Sequence, residues 1–268
     1  MELCFSTLGC AERTLPEILD VAKAFGIPKI ELRGTDDIID NRENPRFFKE
    51  NQAHTLSLFK EAGVSVQVLD ASCQLHRKDI YIESLAEAKA TISIASELGI
   101  PFVRIFGDKI EEDTDDCLAR ICDGTKALCK FAEDKNVTVL FESHGDFNCQ
   151  KNLSVIANAL KDQANFGIIW DVGKTHQAYE KDPLTFYEAF KDKILHVHIK
   201  DVIGVVSDEP IVPGKGDVDI VSILKKLNED GFKGAVSLEW ERRWHPWVEP
   251  IEVPLAAFCR LFASVTSK

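Results

Sequence analysis

The 268-residue chain is predicted to fold as a (β/α)8 barrel, an α/β architecture in which eight parallel strands alternate with helices. Three observations favour this fold. Short β-branched, apolar runs alternate with segments of helical pattern, with one such pair every ~25–40 residues. Several predicted helices end at a glycine just before the next strand. No linker or low-complexity tract interrupts the series, so residues 1–268 are expected to form one domain.

An open, doubly wound parallel sheet is the alternative architecture. That fold would be favoured by a Gly-x-Gly-x-x-Gly motif after the first strand. The chain instead reads Thr7-Leu8-Gly9-Cys10-Ala11 at this point. The missing motif favours the closed barrel.

The first half of the chain supplies four strand–helix units. Thr14 is expected to cap the first helix, with Pro16 in the first turn, Glu17 at the capping-box position and Gly26 at the end. The first four strands are predicted at residues 3–7, 29–33, 64–69 and 101–106. The next three helices are predicted at residues 47–63, 79–99 and 114–134.

The second half repeats the alternation. Asp217 is expected to be the N-cap of a helix that ends near Gly231. Strands five to eight are predicted at residues 137–142, 166–171, 194–200 and 235–240. The other helices are predicted to begin near residues 152, 182 and 250.

The net charge of −12 limits the kinds of partner. Nucleic-acid binding draws most of its affinity from neutralising phosphates, so the acidic balance argues against DNA, RNA and anionic membrane surfaces. No apolar run reaches the ~18 residues that a membrane-spanning helix needs. The expected partner is therefore a small molecule.

The cysteines and the start of the sequence bear on localisation. Eight cysteines are scattered without a paired framework, and there is no Cys-x-x-Cys motif. The first residues lack the basic and apolar regions of a signal peptide. Free thiols in a reducing cytoplasm are the expectation.

Strand alternation gathers ionisable side chains inside the carboxyl end of the barrel, where barrel enzymes place their sites. Several carboxylates there would repel one another by roughly 4 kcal/mol per pair at 4 Å. They therefore either share protons, form a structural polar network, or surround a cation. Oxygen donors with one imidazole suit Mn²⁺, Mg²⁺ or Co²⁺, and Zn²⁺ is also compatible. The inward residues at these strand ends are Glu31, Arg33, Arg104, Phe106, Glu142, His144, Asp171, His196, His198, Lys200, Glu239 and Glu241.

Five short motifs at these strand ends resemble one family of enzymes over nearly the whole chain. They are Phe141-Glu142-Ser143-His144-Gly145, Trp170-Asp171-Val172-Gly173, His196-Val197-His198-Ile199-Lys200-Asp201, Pro213-Gly214-Lys215-Gly216-Asp217 and Ser237-Leu238-Glu239-Trp240. In this order the motifs resemble the xylose isomerase-like superfamily of TIM barrels, specifically its sugar phosphate isomerase/epimerase group.

The resemblance implies a metal site and a reaction. The implied divalent-metal ligands are Glu142, Asp171, His198 and Glu239. The implied activity is isomerisation or epimerisation of a sugar, sugar phosphate or small hydroxy-keto compound through a metal-chelated enediolate. Glu142 and Glu239 would also transfer the protons, one on each face of the substrate.

The resemblance also implies substrate contacts. His144 and Lys200 match family positions that touch substrate, although Lys200 could instead pair with Asp201 or another carboxylate. Lys174 stands where many members have histidine, and His176 would compensate as a second substrate contact. His196 lies deeper on the same strand face and is expected to support the site without binding metal.

Other functions remain open at this point. A lyase of the inosose or dehydroshikimate dehydratase type would use the same site. A non-catalytic, ligand-binding barrel is a further alternative. An apurinic-site nuclease would need more histidines and a basic face. Members of the family are often dimers or tetramers, so the resemblance leaves open a homodimer or a homotetramer, and the sequence itself does not specify the oligomeric state.

Overall fold

Eight parallel strands close into one barrel in sequence order, which confirms the predicted (β/α)8 fold. The computed structural model describes residues 1–179 and 182–266. The strands are β1 Glu2–Ser6, β2 Lys29–Leu32, β3 Ser65–Gln74, β4 Phe102–Phe106, β5 Thr138–Glu142, β6 Phe166–Asp171, β7 Ile194–Ile199 and β8 Ala235–Leu238. β1 pairs with both β2 and β8, so the sheet has no free edge.

The helices cover the outside of the barrel. Within the described residues they are α1 Leu15–Ala24, α2 Lys49–Ala62, α3 Tyr81–Leu98, α4 Thr114–Ala132, α5 Gln150–Ala159, α6 Val172–Ala178, α7 Leu184–Phe190, α8 Ile220–Glu229 and α9 Glu252–Thr266. The short α6 is an addition to the predicted pattern of one helix per strand. It begins directly at the end of β6, where Asp171 is its N-cap.

The start of α8 corrects the prediction for Asp217. The N-cap of α8 is Asp219, whose Oδ1 accepts the Ser222 N–H at 3.1 Å. Asp217 instead accepts the Gly204 N–H through Oδ2 at 2.9 Å. Asp217 and Asp219 both precede the helix, and their sequence positions alone do not show which of them caps it.

The barrel interior contains little apolar packing, and this determines where the site lies. The large apolar core lies mainly between the strands and the surrounding helices. Inside the barrel, Val68, Leu140 and Ile169 form a small layer, with Phe102 and Leu195 packed against it. The other inward side chains are largely ionisable and are nevertheless buried. Such groups need partners inside the protein, since burying an unpaired charge is costly.

No helix among the described residues is long and apolar enough to cross a membrane. All eight cysteines lie in the described part of the chain and have free thiols.

Candidate metal centre and active site

Strand β7 carries the central histidines of the site. His196 and His198 lie on the same side of β7 and are fully buried. In the sheet register, His198 lies opposite Asp171 of β6 and Ser237 of β8. The strand order therefore brings the ends of β5, β6, β7 and β8 together around His198.

Glu142, His198 and Glu239 form a compact cluster of potential metal ligands. Their donor atoms all lie within 4.8 Å of one another, and all three residues are buried. His198 Nδ1 is 3.4 Å from Glu142 Oε1 and 3.5 Å from Glu239 Oε1. Three of the four proposed ligands thus converge on one point at the carboxyl end of the barrel.

Glu31 orients the His198 ring from the opposite side. His198 Nε2 lies 3.0 Å from the Glu31 carboxylate, which also lies 2.7 Å from His196 Nε2. The Nε2–H groups donate to Glu31, so His198 presents Nδ1 to Glu142 and Glu239. A carboxylate behind a histidine is the usual support of a metal-binding imidazole. Alternation placed Glu31 inside the barrel, but its pairing with β7 was not predicted.

The two glutamates of the cluster have opposite pKa shifts. Burial would raise the pKa of Glu142, but the adjacent Arg104 guanidinium and His198 hold it well below its usual range. Arg104 Nε donates to Glu142 Oε2, which leaves Oε1 facing His198. For Glu239, burial outweighs the nearby Lys200 and His198 and raises the pKa to about 7. The site therefore holds one ionised carboxylate beside one that titrates near neutral pH.

Asp171, the fourth predicted ligand, is the N-cap of α6. Its Oδ1 accepts the Lys174 N–H at 2.9 Å as part of the α6 cap. Its Oδ2 lies 3.9 Å from Lys200 Nζ. The helix cap fixes one oxygen of Asp171, so only Oδ2 faces the other site residues.

Lys200 lies among carboxylates. Its ammonium is 2.6 Å from Glu241 and 3.3 Å from Glu239, and the residue is 1% exposed. Burial would lower the pKa of Lys200, but Glu241, Glu239 and Asp171 hold it well above its usual value. The alternative of an ion-pair partner is thus observed, with Glu241 as the partner.

The buried donors fit a divalent cation. Glu142 Oε1, His198 Nδ1 and Asp171 Oδ2 are buried and have no hydrogen-bond partner among residues 1–179 and 182–266. Buried polar atoms without partners are uncommon in native proteins and need an explanation. An ion bound by carboxylate oxygens and one imidazole nitrogen would satisfy them.

A cavity of about 590 Å³ lies at the mouth of the site. Its lining includes His144 and Lys174, two of the predicted substrate contacts. His144 Nδ1 is 3.5 Å from Asp108, and Lys174 Nζ forms an ion pair with Asp208. His176 is buried on α6 and is not part of this lining.

Asp201 organises the long loop between β7 and α8. Its buried carboxylate accepts four backbone N–H groups, at 2.8–3.1 Å. The donors are Val202, Gly214, Gly216 and Val218. Gly216 is required because an added Cβ would lie 2.2 Å from Asp201 Oδ1. The glycines of the Pro-Gly-Lys-Gly motif therefore bind this side chain, a role that spacing alone did not reveal.

The sequence is similar to those of proteins with named activities. A protein named inosose isomerase from Bacillus velezensis is 26% identical over 261 residues, covering 89% of this chain and 88% of that protein. A protein named inosose dehydratase from Lacticaseibacillus casei is 26% identical over 155 residues, covering 52% of this chain and 51% of that protein. Both relatives are named as enzymes.

The fold is shared with solved structures. A crystal structure of the IolI protein with a bound zinc atom matches over 100% of both chains, with a TM-score of 0.80 and 21% identity. A family model described as xylose isomerase-like TIM barrel matches residues 19–260. That match spans most of the sequence, and the chain therefore belongs to the xylose isomerase-like TIM barrel family.

Proposed function

We propose that the protein is a divalent-metal-dependent isomerase or epimerase of a sugar, sugar phosphate or small hydroxy-keto compound. The observation that carries the proposal is the buried cluster of Glu142, His198 and Glu239, with donor atoms within 4.8 Å of one another. The full-length similarity to a protein named inosose isomerase supports the reaction class.

Glu142, His198 and Glu239 would hold the ion, with Asp171 as the fourth ligand through Oδ2. When bound, the ion would supply Lewis-acid polarisation of a carbonyl and its neighbouring hydroxyl. The oxygen-rich donor set favours Mn²⁺, Mg²⁺ or Co²⁺. The zinc atom in the IolI structure supports Zn²⁺ as a further candidate.

Glu142 and Glu239 would move the protons. Arg104 keeps Glu142 ionised, so this carboxylate can remove a proton from the carbon beside the carbonyl. Glu239, the second carboxylate of the cluster, would return the proton to that carbon or its neighbour. Delivery to the opposite face of the same carbon would invert it, and delivery to the neighbouring carbon would move the carbonyl.

His144 and Lys174 are proposed to contact substrate because both line the cavity above the cluster. Lys200 is proposed to bind a substrate oxygen through its ammonium group, which lies 3.3 Å from Glu239. His176 lies on α6, is 1% exposed and is not part of the cavity lining, so it is not proposed as a direct substrate contact.

A dehydratase using the same residues is the second candidate. The same two carboxylates would serve it, because a general acid that returns a proton to carbon can instead assist departure of a β-hydroxyl as water. The partial similarity to a protein named inosose dehydratase points the same way.

Incubation of the purified, Mn²⁺-supplemented protein in D₂O with ketohexoses, hydroxypyruvate and inososes would separate these reactions. Proton NMR is expected to show deuterium entering the carbon beside the carbonyl without loss of water. Stoichiometric formation of an unsaturated product would instead show the dehydratase. Neither change with any member of the panel would contradict both assignments.

A further inference from the structure

Each of three basic side chains at the site already has a carboxylate partner. His144 lies 3.5 Å from Asp108, Lys200 lies 2.6 Å from Glu241, and Lys174 pairs with Asp208. Each of these three side chains pairs with a different carboxylate. The positive charge of these three side chains is therefore already neutralised by the protein.

The pair of Lys174 and Asp208 joins α6 to the loop after β7 at the cavity mouth. Lys174 begins from α6, and its side chain is only 12% exposed. Asp208 comes from the loop after β7, and both residues line the cavity. A second contact holds the same loop, since Gln177 Nε2 donates to the Ser207 carbonyl at 2.6 Å. The loop that carries Asp208 is thus tied to α6 at two points.

The remaining polar groups of the cavity suit hydroxyls. Asn148 and His245 both line it. Asn148 Oδ1 and His245 Nδ1 are buried atoms without hydrogen-bond partners in the described part of the chain. The Asn148 amide oxygen accepts hydrogen bonds from hydroxyl donors but would repel a phosphate oxygen, whereas the His245 ring nitrogen can pair with a hydroxyl in either tautomer.

The adjoining cleft does not offer an alternative anion site. It has a volume of about 650 Å³ and shares Asp108 with the first cavity. Lys78 and Lys109 line it without an ion-pair partner among the described residues. However, its carboxylates outnumber its lysine and arginine side chains; they are Asp79, Asp108, Glu111 and Glu112. An anion would meet net negative charge there as well.

We infer that the site takes an uncharged polyhydroxy ketone or aldehyde, and that Asp208 excludes phosphate esters and carboxylates by neutralising Lys174. This inference rests on the proposed function for the chemistry of the substrate, which it narrows to neutral compounds. Asp208 is accordingly a specificity-determining residue, although it touches neither Glu142 nor Glu239 among the contacts described.

Calorimetric titration with inorganic phosphate tests the charge inference without turnover. Asp208→Asn removes the neutralising charge and is expected to bind phosphate at least about tenfold more tightly than the wild type. Glu209→Gln removes a carboxylate from the same loop, outside the cavity, and is expected to leave phosphate binding unchanged. The double variant Asp208→Asn with Lys174→Gln is expected to lose the gain.

Wild-type protein that binds phosphate as tightly as Asp208→Asn, in a manner abolished by Lys174→Gln, would overturn the inference. Equal gains in phosphate affinity in the Asp208 and Glu209 variants would also overturn it.

The D₂O exchange assay with a ketohexose and its 6-phosphate then tests the charge of the substrate directly. Exchange is expected in the neutral sugar alone. Faster exchange in the 6-phosphate overturns the inference but upholds the proposed function. Absence of exchange in both sugars counts against the function, and the phosphate titration still decides the role of Asp208.

Discussion

Replacing Glu142 by glutamine is expected to slow proton exchange at the substrate carbon by at least about a hundredfold. The amide keeps the size of the side chain but removes the basic oxygen that faces His198 at 3.4 Å. Glu239→Gln is expected to have an effect of similar size, because an amide neither accepts nor returns the transferred proton. Exchange is measured by NMR in D₂O with saturating Mn²⁺, so that weaker metal binding does not account for the loss.

Glu87→Gln is the matched control. Glu87 is also a buried carboxyl, on α3, and it accepts the Ser72 N–H at 3.0 Å. Glutamine keeps an oxygen that can accept the Ser72 N–H, and Glu87 belongs neither to the ligand cluster nor to the cavity lining, so exchange is expected to stay at the wild-type rate. Full exchange in either Glu142→Gln or Glu239→Gln would contradict their assignment as the proton-transfer groups.

Asp201→Ala is expected to destabilise the protein by about 3–5 kcal/mol, the largest effect on folding that we predict. The change leaves four backbone N–H groups without their acceptor, and Asp201 itself is 1% exposed. Each buried donor left unsatisfied costs about 1–3 kcal/mol, and water entering the loop recovers part of the total. Urea unfolding followed by circular dichroism measures the loss.

Two variants in the same loop show whether the carboxylate is the cause. Asp219→Ala removes only the cap of α8 and is expected to cost about 1 kcal/mol. Gly216→Ala keeps Asp201 but places a methyl group against its carboxylate, so it should approach the loss seen in Asp201→Ala. An Asp201→Ala loss no larger than that of Asp219→Ala would refute the proposed role of Asp201.

The barrel and the location of the site followed from the sequence because both depend on simple periodicities. Alternating strands and helices predicted the closed sheet. Strand alternation then placed Glu142, His198 and Glu239 on the inner side, where the structure brings them together. The position of these residues depends only on which side of a strand each one faces. That side can be read from the sequence because residues two apart in a strand face the same way.

Contacts between residues far apart in the sequence could not be predicted from periodicity. Asp208 is separated from Lys174 by 34 residues, and neither position has a distinctive motif. Asp201 stands next to Lys200, yet its carboxylate binds backbone groups up to 17 residues away. Such contacts depend on the path of the loop after β7, which periodicity does not determine. The engagement of Asp171 with the α6 cap was missed because α6 itself was not predicted.

Metal analysis of purified protein tests the central claim, that Glu142, His198 and Glu239 form the ligand cluster of a catalytic metal. Elemental analysis by mass spectrometry, followed by calorimetric titration of metal-stripped protein with Mn²⁺, would give the stoichiometry and affinity. We expect one divalent ion per chain in the wild type, and at least about a hundredfold weaker binding in His198→Ala. A wild-type protein that takes up no divalent ion, or a His198→Ala variant that binds as tightly as the wild type, would contradict the claim.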